Sequence, residues 1–162
     1  MAEKLSAKCV GRKIYLATAF VYDDEMRERV RRHQLNRSQK GYTTIEKCRD
    51  ITEITNALMS DDTVLLDCLG NLTANEMFDG AESNTDIKIA GKIFDDIRRV
   101  NNAVSNLIII SNEIFSSGIR YEKQTEAYTA VLGRLHVDIA AIADTAVECT
   151  CGMKIYHKGA AL

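Results

Sequence analysis

The sequence lacks several features that would place it in familiar classes of protein. It contains no proline and no tryptophan, and it has no apolar run of the about 20 residues that a membrane-spanning helix needs. It also lacks the pattern of a basic start, an apolar run and a small-residue cleavage site that marks a signal peptide. We therefore expect a cytoplasmic protein with no membrane span.

Neither sign of charge is in excess. The 21 Lys and Arg residues face 23 Asp and Glu residues, so the net charge is −2 at pH 7. This balance gives no general reason to expect nucleic acid or an acidic membrane surface as a partner. The basic residues concentrate between Arg27 and Lys40 without interleaved aromatic residues, so an RNA-binding module is the weakest interpretation of that segment.

Cysteine is present, but its pattern indicates no metal site. The five cysteines are an odd number and are scattered, which indicates reduced core cysteines of a cytoplasmic protein. Cys149 and Cys151 share one face of a predicted strand, and His157 follows them. No second cysteine pair completes the ligand set that a structural zinc ion needs, so we expect no zinc site.

A glycine-rich phosphate loop is also absent from these residues. No two of the nine glycines are five positions apart, so the motif G-x-x-x-x-G-K-[ST] does not occur. That loop directs backbone N–H groups, a helix N-terminus and a lysine at a triphosphate, and no other segment supplies all three. Kinase chemistry of that type is therefore not expected from this sequence.

Strand-like and helix-like segments alternate along the chain. At 162 residues the chain is long enough for one domain with a real core and too short for two. The alternation predicts a single α/β domain over residues 1–162, with a mostly parallel sheet flanked by helices. We expect strands at 14–18 and 63–69 and from 106, a hairpin about Gly152, loops at 37–48 and 79–85, and helices at 2–8, 24–37, 45–59, 86–105 and 125–143.

The segment from Lys13 to Arg37 contains the first candidate for chemistry. A short strand is followed by a helix on which Met26, Val30 and His33 are spaced i, i+4, i+7, so the imidazole is expected on the apolar stripe rather than in bulk water. The surrounding arginines are Arg29, Arg31, Arg32 and Arg37. A histidine among arginines, just after a strand end, is suited to contact a phosphate. The alternative is a partly buried core histidine.

A second candidate is Asp67, which ends the apolar run T-V-L-L-D. Open α/β sheets bind ligands at the carboxyl ends of their strands. An aspartate that follows an apolar strand in this way is similar to a Walker B carboxylate, which holds Mg²⁺ directly or through water. The sequence therefore predicts a magnesium site at Asp67.

Together these segments resemble a known family. The pattern A-T, then D-[DE]-E-M-x-x-R-[VI]-x-x-H-x-x-x-R, is similar to that of the adenosylcobinamide kinase/adenosylcobinamide-phosphate guanylyltransferase family of cobalamin biosynthesis. The matching residues are Ala17, Thr18, Asp23, Asp24, Glu25, Met26, Arg29, Val30, His33 and Arg37, and further on Tyr42, Thr44, Glu46, Asp67, Cys68, Thr73, Asn75, Asn112, Glu113 and Gly118. The resemblance implies a P-loop NTPase (RecA-like) fold with the first strand and the Walker A loop missing.

The resemblance also implies an activity. The protein would transfer GMP from GTP to adenosylcobinamide phosphate through a GMP–His33 intermediate, giving adenosyl-GDP-cobinamide. Mg²⁺ would be held at Asp67, with GTP or ATP as co-substrate. The family's kinase step, phosphorylation of adenosylcobinamide, is not expected without the loop. Family enzymes are homo-oligomers, and a trimer is implied.

Carried over residue by residue, the resemblance implies a nucleotide site around His33. The implied nucleotide contacts are Ala17, Thr18, Ala19, Gln34, Leu35, Asn36, Arg37, Glu46 and Asp67. Further candidates are Arg29, Arg32, Tyr42, Asn112 and Glu113. Tyr42 stands where the family has tryptophan and would offer an aromatic face to the guanine base.

One alternative remains open, which is a non-catalytic member of the family that only binds a nucleotide or a corrinoid. The missing loop supports it, as do Phe115 and His136, which replace smaller or more polar family residues. We expect Phe115 to narrow the site and His136 to lie on the surface of its helix. The joint presence of His33, Arg37, Glu46 and Asp67 favours the enzyme.

Overall fold

The structure is a computed structural model, which describes residues 1–78, 86–116, 118 and 121–160. The side chains of Met26, Arg29 and Asn36 and the polar loop predicted at 79–85 lie outside the described part. Helices and strands alternate through the described ranges. The helices are α1 (Ala2–Ser6), α2 (Asp24–Gln39), α3 (Leu69–Phe78), α4 (Asp86–Ala103) and α5 (Lys123–Ile142), with a 3₁₀ helix at Ile51–Ala57; the strands are β1 (Lys13–Ala17), β2 (Tyr42–Glu46), β3 (Thr63–Asp67), β4 (Asn106–Ile110), β5 (Ala146–Thr150) and β6 (Met153–Lys158).

Four of the strands form one parallel sheet in the order β2-β1-β3-β4. Ala17 at the end of β1 pairs with Glu46 on one side and with Asp67 on the other, and Asp67 pairs with Ile110. All four carboxyl ends therefore lie along one edge of the sheet. This arrangement confirms the predicted α/β fold with a mostly parallel sheet flanked by helices.

The two faces of the sheet are buried to different extents. One face, which includes Ile14 and Leu66, packs against α3, α4 and α5 and forms the main core. The other face is smaller and contains Tyr15, Tyr42 and Leu65, with Ala2 of α1 against them. The second face therefore combines two tyrosine side chains with aliphatic ones, and Tyr15 leads from it toward Asp67.

Helices α4 and α5 bury the residues that their spacing predicts, with one exception. Ile93 and Ile97 of α4 and Leu132 and Leu135 of α5 are almost completely buried. Ile142, at the end of α5, is 50% exposed.

The segment between Arg37 and Met59 differs from its predicted structure. Helix α2 continues to Gln39, and the predicted loop contains strand β2. The helix predicted at 45–59 is wrong, since its first residues complete β2 and a 3₁₀ helix covers Ile51–Ala57. Ile51 and Ile54 are buried, and their i, i+3 spacing suits three residues per turn. Parallel pairing with β1 outweighs the local helical pattern.

The terminal hairpin of β5 and β6 is antiparallel, as predicted, and turns at Cys151 and Gly152 with φ of 51° and 82°. Lys158 at its end donates hydrogen bonds to the last carbonyls of α5. Cys149 and Cys151 are exposed, which corrects their expected place in the core. Among the described helices, none is long and apolar enough to cross a membrane.

The amino end of the sheet is stabilised by an ion pair between the buried Asp62 and the partly exposed Arg12. Arg12 donates from Nε to Asp62 Oδ1 over 3.0 Å and from Nη2 to Asp62 Oδ2 over 2.7 Å. The side chain of Asp62 is fully buried and also accepts a hydrogen bond from the backbone N–H of Met59. These contacts lower the pKa of Asp62, the Arg12 hydrogen bonds being the largest cause.

We expect Asp62→Asn to lower the free energy of unfolding by about 2 kcal/mol at pH 7, because it leaves Arg12 without its carboxylate. A carboxyl group whose pKa is depressed by folding stabilises the protein above its unfolded pKa of about 3.9, and this contribution is lost as the pH falls further. Urea unfolding should therefore show a difference between variant and wild type that narrows below about pH 4. Asp61→Asn, which changes an exposed neighbour, should stay within about 0.5 kcal/mol of wild type. A difference in free energy of unfolding between Asp62→Asn and wild type that does not depend on pH would contradict the ion-pair explanation.

Candidate active site

The ends of β1 and β3 are held together by the side chain of Thr18. Its hydroxyl donates to the carbonyl oxygen of Cys68 over 2.8 Å and accepts from the N–H of Cys68 over 2.8 Å. The N–H of Thr18 donates to the carbonyl oxygen of Asp67 over 3.1 Å. Thr18 is completely buried, so its hydroxyl stabilises the strand ends instead of facing a ligand.

Asn75 of α3 connects the ends of β1 and β2. Its amide nitrogen donates to the carbonyl oxygen of Thr18 over 2.7 Å and to that of Cys48 over 3.0 Å. Cys48 in turn donates from its thiol to the carbonyl oxygen of Ala19. The chain at Ala17 to Ala19, where nucleotide contacts are implied, is therefore fixed by buried hydrogen bonds.

Tyr15 lies at the centre of the polar network on the second face of the sheet. Its hydroxyl donates a hydrogen bond to Asp67 Oδ2, and the Arg37 guanidinium carbon lies 3.5 Å from the centroid of its ring. Burial and the hydrogen bond to Asp67 raise the pKa of Tyr15, so the phenol stays protonated and acts as the donor. This network brings together Arg37 and Asp67, which come from different elements.

The second half of α2 also approaches the end of β2. Gln34 donates from its amide nitrogen to Glu46 Oε1, so two more implied contacts lie together. Leu35, which follows Gln34 on the helix, is 55% exposed. Asn36 is also an implied contact, and its side chain lies outside the described part.

His33 does not lie on a buried stripe. It is exposed, whereas Val30 is half-buried, so the expectation that the imidazole avoids bulk water is wrong. The helix has few apolar residues after Val30, and charged neighbours such as Arg32 are also exposed. His33 and Arg37 are spaced i, i+4, which makes them neighbours on one side of the helix. The imidazole is therefore one helical turn from the residue that stacks on Tyr15.

Tyr42 does not present an open aromatic face. Its ring is 7% exposed and meets the Tyr15 ring edge-on, with centroids 6.1 Å apart. Its hydroxyl is hydrogen-bonded to Ser6 of α1. The structure thus gives Tyr42 a packing role between α1 and the sheet, in contrast to the predicted contact with a base. The cause is its position in β2 instead of in a loop.

The exit of β4 forms a separate polar group. Asn112 and Glu113 are exposed, and Glu113 accepts hydrogen bonds from the Phe115 N–H over 2.8 Å and from the Ser116 hydroxyl over 2.7 Å. The described contacts of Glu113 are thus within its own loop, and they lower its pKa. Neither residue is joined to the Tyr15 network by these contacts.

His136 was expected on the surface of α5, but it is half-buried. Its Nε2 lies 2.7 Å from the hydroxyl of Ser111, and its ring meets the Phe115 ring edge-on at 5.3 Å. Burial lowers the pKa of His136. Phe115 lies against Gly133 of α5, where an added Cβ would be 3.4 Å from its ring. Phe115 and His136, two residues that differ from the family pattern, therefore pack on each other at the exit of β4.

The chemistry at Asp67 suits a magnesium ion. Mg²⁺ is commonly held by one or two carboxylates together with phosphate oxygens of a substrate. Asp67 is half-buried at the carboxyl edge, and a carboxylate has about four lone-pair sites, so the hydrogen bond from Tyr15 leaves it able to bind a cation. Asp67 would hold the ion, which would offset charge on the phosphates.

A group of three carboxylates elsewhere already contacts a lysine. Asp50, Glu76 and Asp96 lie close enough to one another to hold a metal ion, but Lys92 Nζ lies 2.8, 2.6 and 3.1 Å from them, respectively. Burial alone would lower the pKa of Lys92, yet the three carboxylates outweigh it and raise the pKa. We interpret this group as a stabilising link between the start of the 3₁₀ helix, α3 and α4.

Sequence reasoning missed Tyr15, Asn75 as a bridge between strands, and the partners of Lys92. The alternation of β1 does indicate that Tyr15 and Ala17 share a face. The sequence carries no signal for the register that sets Tyr15 beside Asp67, because that register depends on the pairing of strands 50 residues apart.

Comparison with known proteins places these residues in context. A family model described as cobinamide kinase / cobinamide phosphate guanyltransferase matches residues 1–156. The bifunctional adenosylcobalamin biosynthesis protein CobU of Escherichia coli K12 is 23% identical to this chain over 141 residues. The protein of the same description from Salmonella typhimurium LT2 is 27% identical over 141 residues. Each comparison covers 81% of this chain and 77% of the relative.

We expect Lys92→Met to destabilise the protein by about 2 kcal/mol at pH 7, because three carboxylates then face one another without a cation. Without the cation the carboxylates repel one another, and protonation of a carboxyl group as the pH falls relieves this repulsion in the folded state. The destabilisation measured by urea unfolding should therefore shrink between pH 7 and pH 5. Lys88→Met, an exposed position one turn earlier on α4, serves as the control. Equal destabilisation by Lys92→Met at both pH values would indicate lost packing instead of lost charge.

Proposed function

Because the chain belongs to the cobinamide kinase / cobinamide phosphate guanyltransferase family, we propose that it acts in cobalamin biosynthesis as a guanylyltransferase. It transfers GMP from GTP to adenosylcobinamide phosphate and forms adenosyl-GDP-cobinamide. The observation that carries this proposal is the contact of Arg37 and Asp67 with Tyr15, one helical turn from His33. On this proposal a nucleophile, a phosphate-binding cation and a metal-binding carboxylate act on one nucleotide.

In the first step His33 acts as the nucleophile. A ring nitrogen of the neutral imidazole attacks the α-phosphorus of GTP, an N–P bond forms, and the bond to the β-phosphate oxygen breaks. Pyrophosphate leaves, and GMP remains attached to His33. The exposure of His33 supports this role, because a nucleophile must reach a ligand that comes from solvent.

In the second step a phosphate oxygen of adenosylcobinamide phosphate attacks the same phosphorus. The N–P bond breaks, His33 returns to its neutral form, and a new P–O–P linkage joins GMP to the corrinoid. The covalent intermediate replaces one encounter between two anions by two easier steps. The Arg37 guanidinium binds phosphate oxygens in both steps and stabilises charge that develops on them.

The kinase activity in the family description is not assigned to these residues. Phosphorylation of adenosylcobinamide with ATP or GTP requires groups that hold the terminal phosphates, and the glycine-rich motif that supplies them does not occur in the 162-residue sequence. Guanylyl transfer depends instead on His33, Arg37 and Asp67. We further propose a cytoplasmic homo-oligomer, a trimer by resemblance to the family.

A second candidate function is binding of a nucleotide or a corrinoid without catalysis. The burial of Tyr42 and the contact between Phe115 and His136 support it, because they change two regions where the family is expected to contact its substrates. This candidate predicts nucleotide binding without a covalent adduct, so the same assay separates the two functions.

Incubation with α-³²P-labelled GTP and Mg²⁺ should give a labelled protein whose bond is labile in acid and stable in base, as expected for phosphorus on histidine. The label should be absent in His33→Ala and retained in His157→Ala, which removes an exposed histidine of the hairpin. Asp67→Asn should slow labelling on the order of 100-fold. Adenosylcobinamide phosphate should then release the label from the wild-type protein.

Two results would overturn the guanylyltransferase proposal. One is wild-type protein that binds GTP and is never labelled, which would favour the binding function. The other is label that persists in His33→Ala, which would place the covalent bond on another residue.

A further inference from the structure

Tyr15 contacts both Arg37 and Asp67 of the candidate site. Tyr15 is in β1, an inner strand that pairs with β2 on one side and β3 on the other. Its side chain is 4% exposed, and its ring packs edge-on against Tyr42. A side chain confined in this way has little freedom to change its orientation, so groups that contact it are held in place.

The hydroxyl of Tyr15 sets the orientation of Asp67. It donates to Oδ2 of that carboxylate, so this hydrogen bond engages only one of the two carboxylate oxygens. Groups that hydrogen-bond to a metal ligand commonly orient it, and their loss costs about 10- to 100-fold in metal affinity. Asp67 is half-buried and would otherwise be free to rotate.

The ring of Tyr15 sets the position of Arg37. The guanidinium carbon lies 3.5 Å from the ring centroid, which is the distance of a stacked cation–π contact. In the described part of the chain Arg37 forms no ion pair, so its charge is not cancelled by a carboxylate. A guanidinium stacked by its face keeps its N–H groups at the edge of its plane, where they can bind phosphate oxygens in pairs.

We propose that Tyr15 is a positioning residue of the nucleotide site: its ring fixes the Arg37 guanidinium and its hydroxyl fixes the Asp67 carboxylate, so that phosphate and divalent cation are bound in a fixed mutual geometry. This inference rests on the proposed function for the identity of the ligand, a nucleoside triphosphate with a divalent cation. It does not require the covalent step at His33.

The proposal gives the ring and the hydroxyl of Tyr15 different roles, which two substitutions can distinguish. Tyr15→Phe keeps the ring under Arg37 and removes only the hydroxyl, whereas Tyr15→Leu removes both. Tyr128→Phe is a matched control, because it deletes the hydroxyl of a second, half-buried tyrosine, which donates to the carbonyl oxygen of Gly70 over 3.2 Å. A purely structural role for Tyr15 would change stability in both Tyr15 variants without distinguishing cation from anion binding.

The test measures binding and not turnover. Binding of Mn²⁺ in the presence of GTP is followed by the electron paramagnetic resonance signal of the free ion, and binding of inorganic triphosphate without metal is followed by calorimetry. Tyr15→Phe should weaken Mn²⁺ binding about 10-fold and leave metal-free triphosphate binding unchanged. Tyr15→Leu should weaken both. Triphosphate binding should fall about threefold, because Arg37 loses the ring on which its guanidinium stacks. Tyr128→Phe should match wild type in both measurements.

Three outcomes would overturn the proposal. They are unchanged Mn²⁺ binding in Tyr15→Phe, equal loss of Mn²⁺ and triphosphate binding in that variant, and a wild-type protein that binds no Mn²⁺ with GTP. The proposed function can fail separately, because a wild-type protein that is never labelled by GTP would still show the expected difference between Tyr15→Phe and Tyr15→Leu.

Discussion

The parallel register of β1 and β3 is the constraint on which the candidate site depends. Tyr15 pairs with Leu65 and Ala17 with Asp67, so Tyr15 and Asp67 share a face and lie one diagonal step apart. A slip of one residue would move Asp67 to the opposite face, against α3, α4 and α5. The two hydrogen bonds between Thr18 and Cys68 fix this register at the strand ends.

The charged groups of the candidate site have different partners from those elsewhere in the protein. Asp62 at the amino end of the sheet is fully paired with Arg12, and Lys92 is surrounded by carboxylates. In both groups the charged side chains have oppositely charged partners within the protein, and these contacts stabilise the fold. Arg37 instead rests on the Tyr15 ring, an arrangement that holds a cation without neutralising it. This difference is what distinguishes a binding group from a structural ion pair here.

Local patterns failed where tertiary pairing had the larger effect. Tyr42 lies in a segment that looks like a loop, yet it begins β2, and its burial removes the aromatic face expected for a base. His136 looks like a surface residue of α5, yet the exit of β4 supplies Ser111 and Phe115 as neighbours. In both cases the partner comes from a distant segment, which periodicity along one element does not reveal.

By itself the sequence determined the α/β class, the strands at β1, β3 and β4, the long helices, the family and the position of Asp67 at a strand end. These features depend on apolar periodicity and on motifs that are contiguous in the chain. Only the tertiary structure decided that Tyr15 joins Arg37 to Asp67, that His33 is exposed, and that Lys92 occupies the acidic group. Tyr15 and Asp67 are 52 residues apart, and Asp50 and Glu76 approach Lys92 from other elements, so these contacts exist only once the chain has folded.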